Sequence, residues 1–155
     1  MAEVVSYSAM LRVGILVASV GLLLPQMLYP FVARSWAAGE LARCKRYYLI
    51  GVAASVAITL TLCTLLAVFG RDIFGLWLGS QAPFSAMTFI AVLTYYLMYV
   101  HHGSHAMPVL ATAGNAFTLP AIVITISVVA LILTLPDRLG LPGVPLSMVF
   151  GTALP

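Results

Sequence analysis

Charged residues are so sparse along this chain that they alone divide it. They fall at Glu3, Arg12, Arg34, Glu40, Arg43, Lys45, Arg46, Arg71, Asp72, Asp137 and Arg138. The uncharged runs between them are 13–33, 47–70, 73–136 and 139–155, of 21, 24, 64 and 17 residues. A helix that crosses a hydrocarbon core of about 30 Å needs about 20 mostly apolar residues. The first two runs fit one span each, the third fits two spans with their connections, and the fourth begins another. Long solid runs such as 119–135 replace the period-two alternation of a membrane barrel. In lipid the backbone polar groups of such a run must be satisfied within the segment, so helices are expected. The pattern therefore predicts an all-α integral membrane fold, one membrane domain over 1–155. Four complete transmembrane helices are expected at about 11–33, 47–69, 84–110 and 118–135, with a partial fifth at 144–155.

Local signals refine that outline. Pro25 lies inside the first predicted helix and Pro30 near its end. A proline removes one backbone hydrogen bond and kinks a helix, so Pro25 is either a packing kink or a hinge beside a substrate path. Residues 34–46 hold Arg34, Arg43, Lys45 and Arg46 against Glu40, flanked by Trp36, Tyr47 and Tyr48. Clustered Lys and Arg mark a cytoplasmic loop, and Trp and Tyr favour the interface. Part of this stretch, 37–46, has the makings of a short surface helix. Residues 70–79 are too short and too punctuated by glycine to span. Phe74, Trp77 and Leu78 share one face by their spacing, which predicts an amphipathic turn lying in the outer interface. Gly103 and Pro108 are expected kinks or hinges in the third helix, Gly114-Asn115 a turn, and 136–143 an outer loop.

Composition excludes whole classes of function. Apolar residues make up 63% of the chain and charged ones 7%, against about 25% charged in a soluble domain. Eleven charged side chains cannot cover a soluble globule of this size, and disorder needs the opposite balance. The pI of about 9.1 rests on few charges, so it reports topology and does not point to nucleic acid. Residues 1–11 carry Glu3 and no positive charge, so no basic leader region is present there. Cys44 and Cys63 have neither metal nor redox spacing and read as two unpaired thiols.

Few residues are left to carry chemistry. His101 and His105 lie four apart on one helix face, with His102 beside them. Three uses fit them: structural or interfacial histidines, a proton or substrate contact in a cavity, or a metal site, which would need further ligands. Arg12 enters the first helix, where it either snorkels to the headgroups or serves function as an intramembrane charge. Phosphate-cradling glycine loops, nucleophile elbows and paired carboxylates are missing. No catalytic residue, metal or cofactor is therefore predicted, and the chain does not read as an enzyme.

Four motifs, in order, suggest a family. Leu28-Tyr29-Pro30-Phe31-Val32-Ala33-Arg34 followed by Ala37-Ala38-Gly39-Glu40 resembles the helix end and loop of bacterial O-antigen and polysaccharide flippases, with Glu40 where that family usually has Asp. Phe69-Gly70-Arg71-Asp72-Ile73 with Leu76-Trp77-Leu78-Gly79 resembles its Leu-Trp-Leu-Gly turn. Leu110-Ala111-Thr112-Ala113-Gly114 is similar to its small-residue turn, and Leu139-Gly140-Leu141-Pro142-Gly143-Val144 to its Gly-Leu-x-Gly-Val loop.

That family belongs to the multidrug/oligosaccharidyl-lipid/polysaccharide exporter superfamily. The resemblance implies a MATE-like half-lobe fragment, from about the second lobe's second helix into its sixth. It implies a multi-pass protein of the bacterial inner membrane that flips an undecaprenyl-diphosphate-linked oligosaccharide by alternating access, driven by an H+ or Na+ gradient, with residues 34–46 cytoplasmic. A diphosphate headgroup needs cations in a wet cavity, which makes Arg12, Arg34, His101 and His105 the candidate substrate contacts. Rocking helices need bends, which makes Pro25, Gly103 and Pro108 the candidate hinges. Three other readings stand beside this one: a drug/cation antiporter of the same superfamily, a membrane-anchor or redox subunit with histidine ligands, and an oligomeric integral membrane protein without transport.

Overall fold

The structure, a computed structural model, describes residues 2–79, 83–113, 118–140 and 142–153. Its regular elements are helices: α1 Ala2–Ala37, α2 Leu41–Leu78, α3 Ala86–Ala113, α4 Thr118–Thr134, the single turn α5 Pro136–Leu139, and α6 Gly143–Ala153. Among the described residues three helical stretches are long and apolar enough to cross a membrane: Val4–Ala37, Leu41–Leu78 and Ala121–Leu139. This is the make-up of a membrane protein. α3 is not among the three, because it carries three tyrosines and three histidines between Tyr95 and His105.

Two boundaries move from their expected places. α1 starts at Ala2 rather than near Leu11. Its first turns bury Ser6, Ala9 and Met10 against the other helices, so tertiary packing extends the helix beyond its membrane-length run. α2 takes in both the expected surface helix at 37–46, from Leu41 onward, and the expected interfacial turn at 70–79. Gly70 does not end the helix. It is buried, and a Cβ there would strike the Phe89 ring. Phe74 points inward, 3% exposed, with its ring centroid 5.2 Å from Phe89 and 5.6 Å from Phe84. The face assigned to lipid headgroups is thus partly core. α1 and α2 have 36 and 38 residues and are each about 54–57 Å long, nearly twice a hydrocarbon core of about 30 Å. The Gly114-Asn115 turn lies outside the described residues.

The chain reverses between α1 and α2 at Gly39, whose φ of 73° suits a residue without a Cβ. The Ala38 N–H donates to the Arg34 carbonyl at 3.0 Å and the Glu40 N–H to the Ser35 carbonyl at 2.9 Å, closing the helix end. Arg43 and Glu40 pair at 2.6 Å on the exposed side, a contact worth little in stability.

Helices α1, α2 and α3 pack as one bundle. α2 turns small residues inward at every fourth position: Gly51, Ser55, Thr59 and Cys63 are buried. A Cβ at Gly21 of α1 would meet Thr59 and Val100, and one at Gly14 would meet Tyr96. Helices in lipid gain little from the hydrophobic effect on meeting, so close backbone approach over small residues supplies the contact. α6 repeats the device. Gly143, Ser147 and Gly151 are also four apart, and they lie against Pro136, Leu131 and Val128. The Ser147 hydroxyl approaches its own Gly143 carbonyl at 2.6 Å and the Leu131 carbonyl at 3.0 Å.

The atoms nearest a Cβ at Gly151 include the α4 backbone at Val128, which cannot step aside. Gly151→Val should therefore pry α6 from α4 at a cost of about 1–3 kcal/mol. The check is disulfide formation between cysteines placed at Leu131 and Ser147, in a chain freed of Cys44 and Cys63. Its yield should fall when Gly151→Val is added.

Candidate functional site

The centre of the bundle is organised by one missing hydrogen bond. Pro25 has no N–H, so the carbonyl four residues earlier, Gly21, loses its helical donor. The Ser55 hydroxyl replaces it, donating from α2 to the Gly21 carbonyl at 2.6 Å. Ser55 also lies 2.8 Å from the Ser104 hydroxyl of α3, which in turn reaches the Val100 carbonyl at 2.7 Å. Three contacts share two protons. With Ser55 committed to Gly21, Ser104 divides its proton between Val100 and Ser55. Ser55 and Ser104 are 0% and 1% exposed. The space among Pro25, Tyr48, Gly51 and Ser104 is about 10 Å³, at most a single water. Of the expected hinges, Pro25 is thus clamped from two other helices. Gly103 lies beside Leu22, and Pro108 sits inside an α3 that runs on to Ala113.

The predicted site residues separate into groups. Arg12 and Arg34 are both exposed on α1, 22 residues and so about 33 Å apart along its axis. That is one hydrocarbon thickness, and the two arginines bracket the apolar run between them. His101 and His105 do come together, with ring centroids 4.5 Å apart. His102 is 5.9 Å from His101. His105 is half-buried because Tyr48 of α2 covers it, with the phenol 2.6 Å from His105 Nδ1. This contact joins residues 57 apart in sequence, so sequence reasoning missed it. Phe31 and Tyr47 meet at a tilt, ring centroids 5.8 Å apart, at the same end of the bundle, where Arg34 and Lys45 also lie. Arg12 is remote from this end, since its neighbour Gly14 packs on Tyr96. Among the described residues no three His, Cys, Asp or Glu are grouped as a metal would require.

No family model, curated protein or solved structure matches the chain. What the chain can bind is set by its own cavities.

Two matter. At the start of α1 a cavity of about 480 Å³ is lined by Ser6, Tyr7, Met10, Phe84 and Thr88. There the Tyr7 hydroxyl is buried without a hydrogen-bond partner among the described residues. A larger groove of about 640 Å³ runs between α1 and α3, lined by Ser19 and Gln26 on one side and Tyr95, Tyr96 and Tyr99 on the other. Gln26 is exposed within the uncharged run 13–33. An amide facing hydrocarbon with no partner costs about 4–8 kcal/mol on the water-to-alkane scale, so this face suits water or a polar ligand better than lipid tails. The string Tyr-Tyr-x-x-Tyr was visible in the sequence, but nothing there pairs it with Gln26.

The Gly21–Ser55 bond gives a two-part prediction. Ser55→Ala should cost about 1–3 kcal/mol, because a buried carbonyl is left unpaired. Pro25→Ala restores the helical N–H to that carbonyl. Combining it with Ser55→Ala should then cost less than the sum of the single changes. Unfolding of the four proteins in mixed detergent micelles measures the cycle.

Proposed function

We propose that this chain is part of a carrier that flips a lipid-linked oligosaccharide across the bacterial inner membrane, with residues 34–46 on the cytoplasmic side. The observation that carries the reading is the placement of the four flippase-like motifs. Leu28 to Glu40 forms the α1 end and the turn into α2. Phe69 to Gly79 forms the last turns of α2. Leu110 to Ala113 closes α3, and Gly140 and Pro142 lie between α5 and α6. Motifs that recur at helix ends are what a family sharing a helix layout retains.

The physical features support the same reading. α1, which can span a membrane, carries into its groove with α3 polar side chains that lipid tails would not solvate. Arg12 and Arg34 stand one membrane thickness apart, so a diphosphate headgroup would find a cation at either face. The Pro25 break gives α1 a point at which its two halves can reorient once Ser55 lets go. A redox role fits less well. His101 and His105 share a single helix face, and ligating a haem from both sides takes two helices.

Two measurements test the proposal. A photoactivatable undecaprenyl-diphosphate oligosaccharide should label the chain in inner-membrane vesicles and be competed by the unlabelled lipid. Absence of competed labelling counts against the carrier. For orientation, a membrane-impermeant maleimide should modify Cys44 from the cytoplasmic side alone and spare the buried Cys63. Labelling of Cys44 in intact cells would reverse the topology.

A further inference from the structure

The groove between α1 and α3 has the chemistry of a sugar site. Tyr95, Tyr96 and Tyr99 form a continuous aromatic wall, with ring centroids 5.0, 6.2 and 6.3 Å apart. On the α1 side Ser19 brings a hydroxyl and Gln26, further along the groove, an amide. The Ser19 hydroxyl donates to its own helix at Ile15, which leaves its lone pairs to accept. Gln26 is exposed and makes no hydrogen bond to another described residue. Among the described residues no charged side chain lines the groove. Flat apolar ring faces beside neutral donors and acceptors suit a pyranose, whose C–H face stacks on aromatic rings while its hydroxyls take the polar tips.

The position of the groove adds a second argument. Arg12, Ile15, Ser19, Leu23 and Gln26 recur at three- and four-residue steps, so they share one face of α1. Arg12 therefore stands at one mouth of the groove, at the level of Tyr96. An interfacial aromatic belt accounts for tyrosines near Arg12. It does not account for Gln26, which is 12 residues beyond Gly14 and so about 18 Å deeper along α1.

We infer that this groove holds an uncharged sugar unit of a glycolipid inside the membrane, with Tyr95 and Tyr99 as the stacking faces and Gln26 as the hydroxyl-reading side chain. The inference deepens the reading above by assigning the residues that touch the sugar. It differs from the expectation that arginines and histidines alone contact substrate. The groove takes the sugar, and a phosphate is left for Arg12 at its mouth.

The test uses the full chain in lipid nanodiscs and two probes kept below their micellar concentrations. One is hexyl maltoside. The other is a hexyl oligo(ethylene glycol) ether with the same tail and no sugar. Saturation-transfer NMR should show the maltoside ring protons in contact with protein and no comparable signal from the ether head. Tyr99→Leu and Gln26→Leu should each weaken maltoside binding about tenfold, equivalent to 1.4 kcal/mol. Ile126→Ala, on the outer face of α4, should leave it unchanged. Tyr99 is 46% exposed, so its replacement leaves the core intact, and Gln26→Leu reports independently from the other wall. Equal contact by both probes, or maltoside binding untouched by both groove variants, overturns the inference; equal contact would mark the groove as a site for alkyl tails. Sugar binding without competed photolabelling by the undecaprenyl-linked oligosaccharide would uphold the groove while removing the flippase reading.

Discussion

The carbonyl of Gly21 is the point on which the bundle turns. A proline four residues later strips it of its helical donor, and hydrocarbon offers no water in exchange. The chain answers with Ser55, donated from a neighbouring helix at 2.6 Å. For that hydroxyl to arrive, α1 and α2 must approach closely, and Gly21 sits where a Cβ would strike Thr59 and hold them apart. Ser104 then draws in α3. A local defect in one helix thus fixes the distance and register of three.

The same logic explains why polar residues here serve structure more often than chemistry. Thr59, Thr61, Thr64, Thr94 and Thr125 each return the hydroxyl to the carbonyl four residues back. That geometry satisfies the hydroxyl within its own helix and makes threonine tolerable in lipid. The residues that depart from it are therefore informative. Ser55 reaches across to another helix, Tyr48 reaches His105, and Gln26 reaches no other described residue. The first two tie helices together, and the last faces a groove.

Much of the fold was legible in the sequence because charge is so costly in lipid. The gaps between Arg12, Arg34, Arg46 and Arg71 mark the first two helices directly, whereas Gly39, which falls inside the expected surface helix at 37–46, is the turn between them. Helix ends were less legible, since only polarity sets them from sequence, whereas packing extends α1 back to Ala2 and carries α2 past Gly70. Phe74 illustrates the difficulty: its spacing with Trp77 fits an interfacial turn as well as a core face, and only Phe84 and Phe89, from elsewhere in the chain, decide between them. The four-residue recurrence of Gly51, Ser55, Thr59 and Cys63 was present to be read and marks the α2 seam. Around the site, the pairing of His101 with His105 followed from helical periodicity. Tyr48 over His105, and Gln26 in one groove with the tyrosines, did not, because each joins segments whose separation no local pattern encodes.

The attachment of α4 has a mechanical meaning. Among the described residues α4 meets α5 and α6 and touches none of α1, α2 or α3. Its seam with α6 is backbone-close, at Val128 against Gly151. α6 in turn packs on α3, beside a groove of about 470 Å³ among Met87, Ala91, Thr94, Leu146 and Val149. Among the described residues α4 is therefore hung on the bundle through α6 and its seat on α3. The described contacts carry torque between α4 and the polar knot at Gly21 through α3, the helix that bears Ser104, His105 and the tyrosine wall.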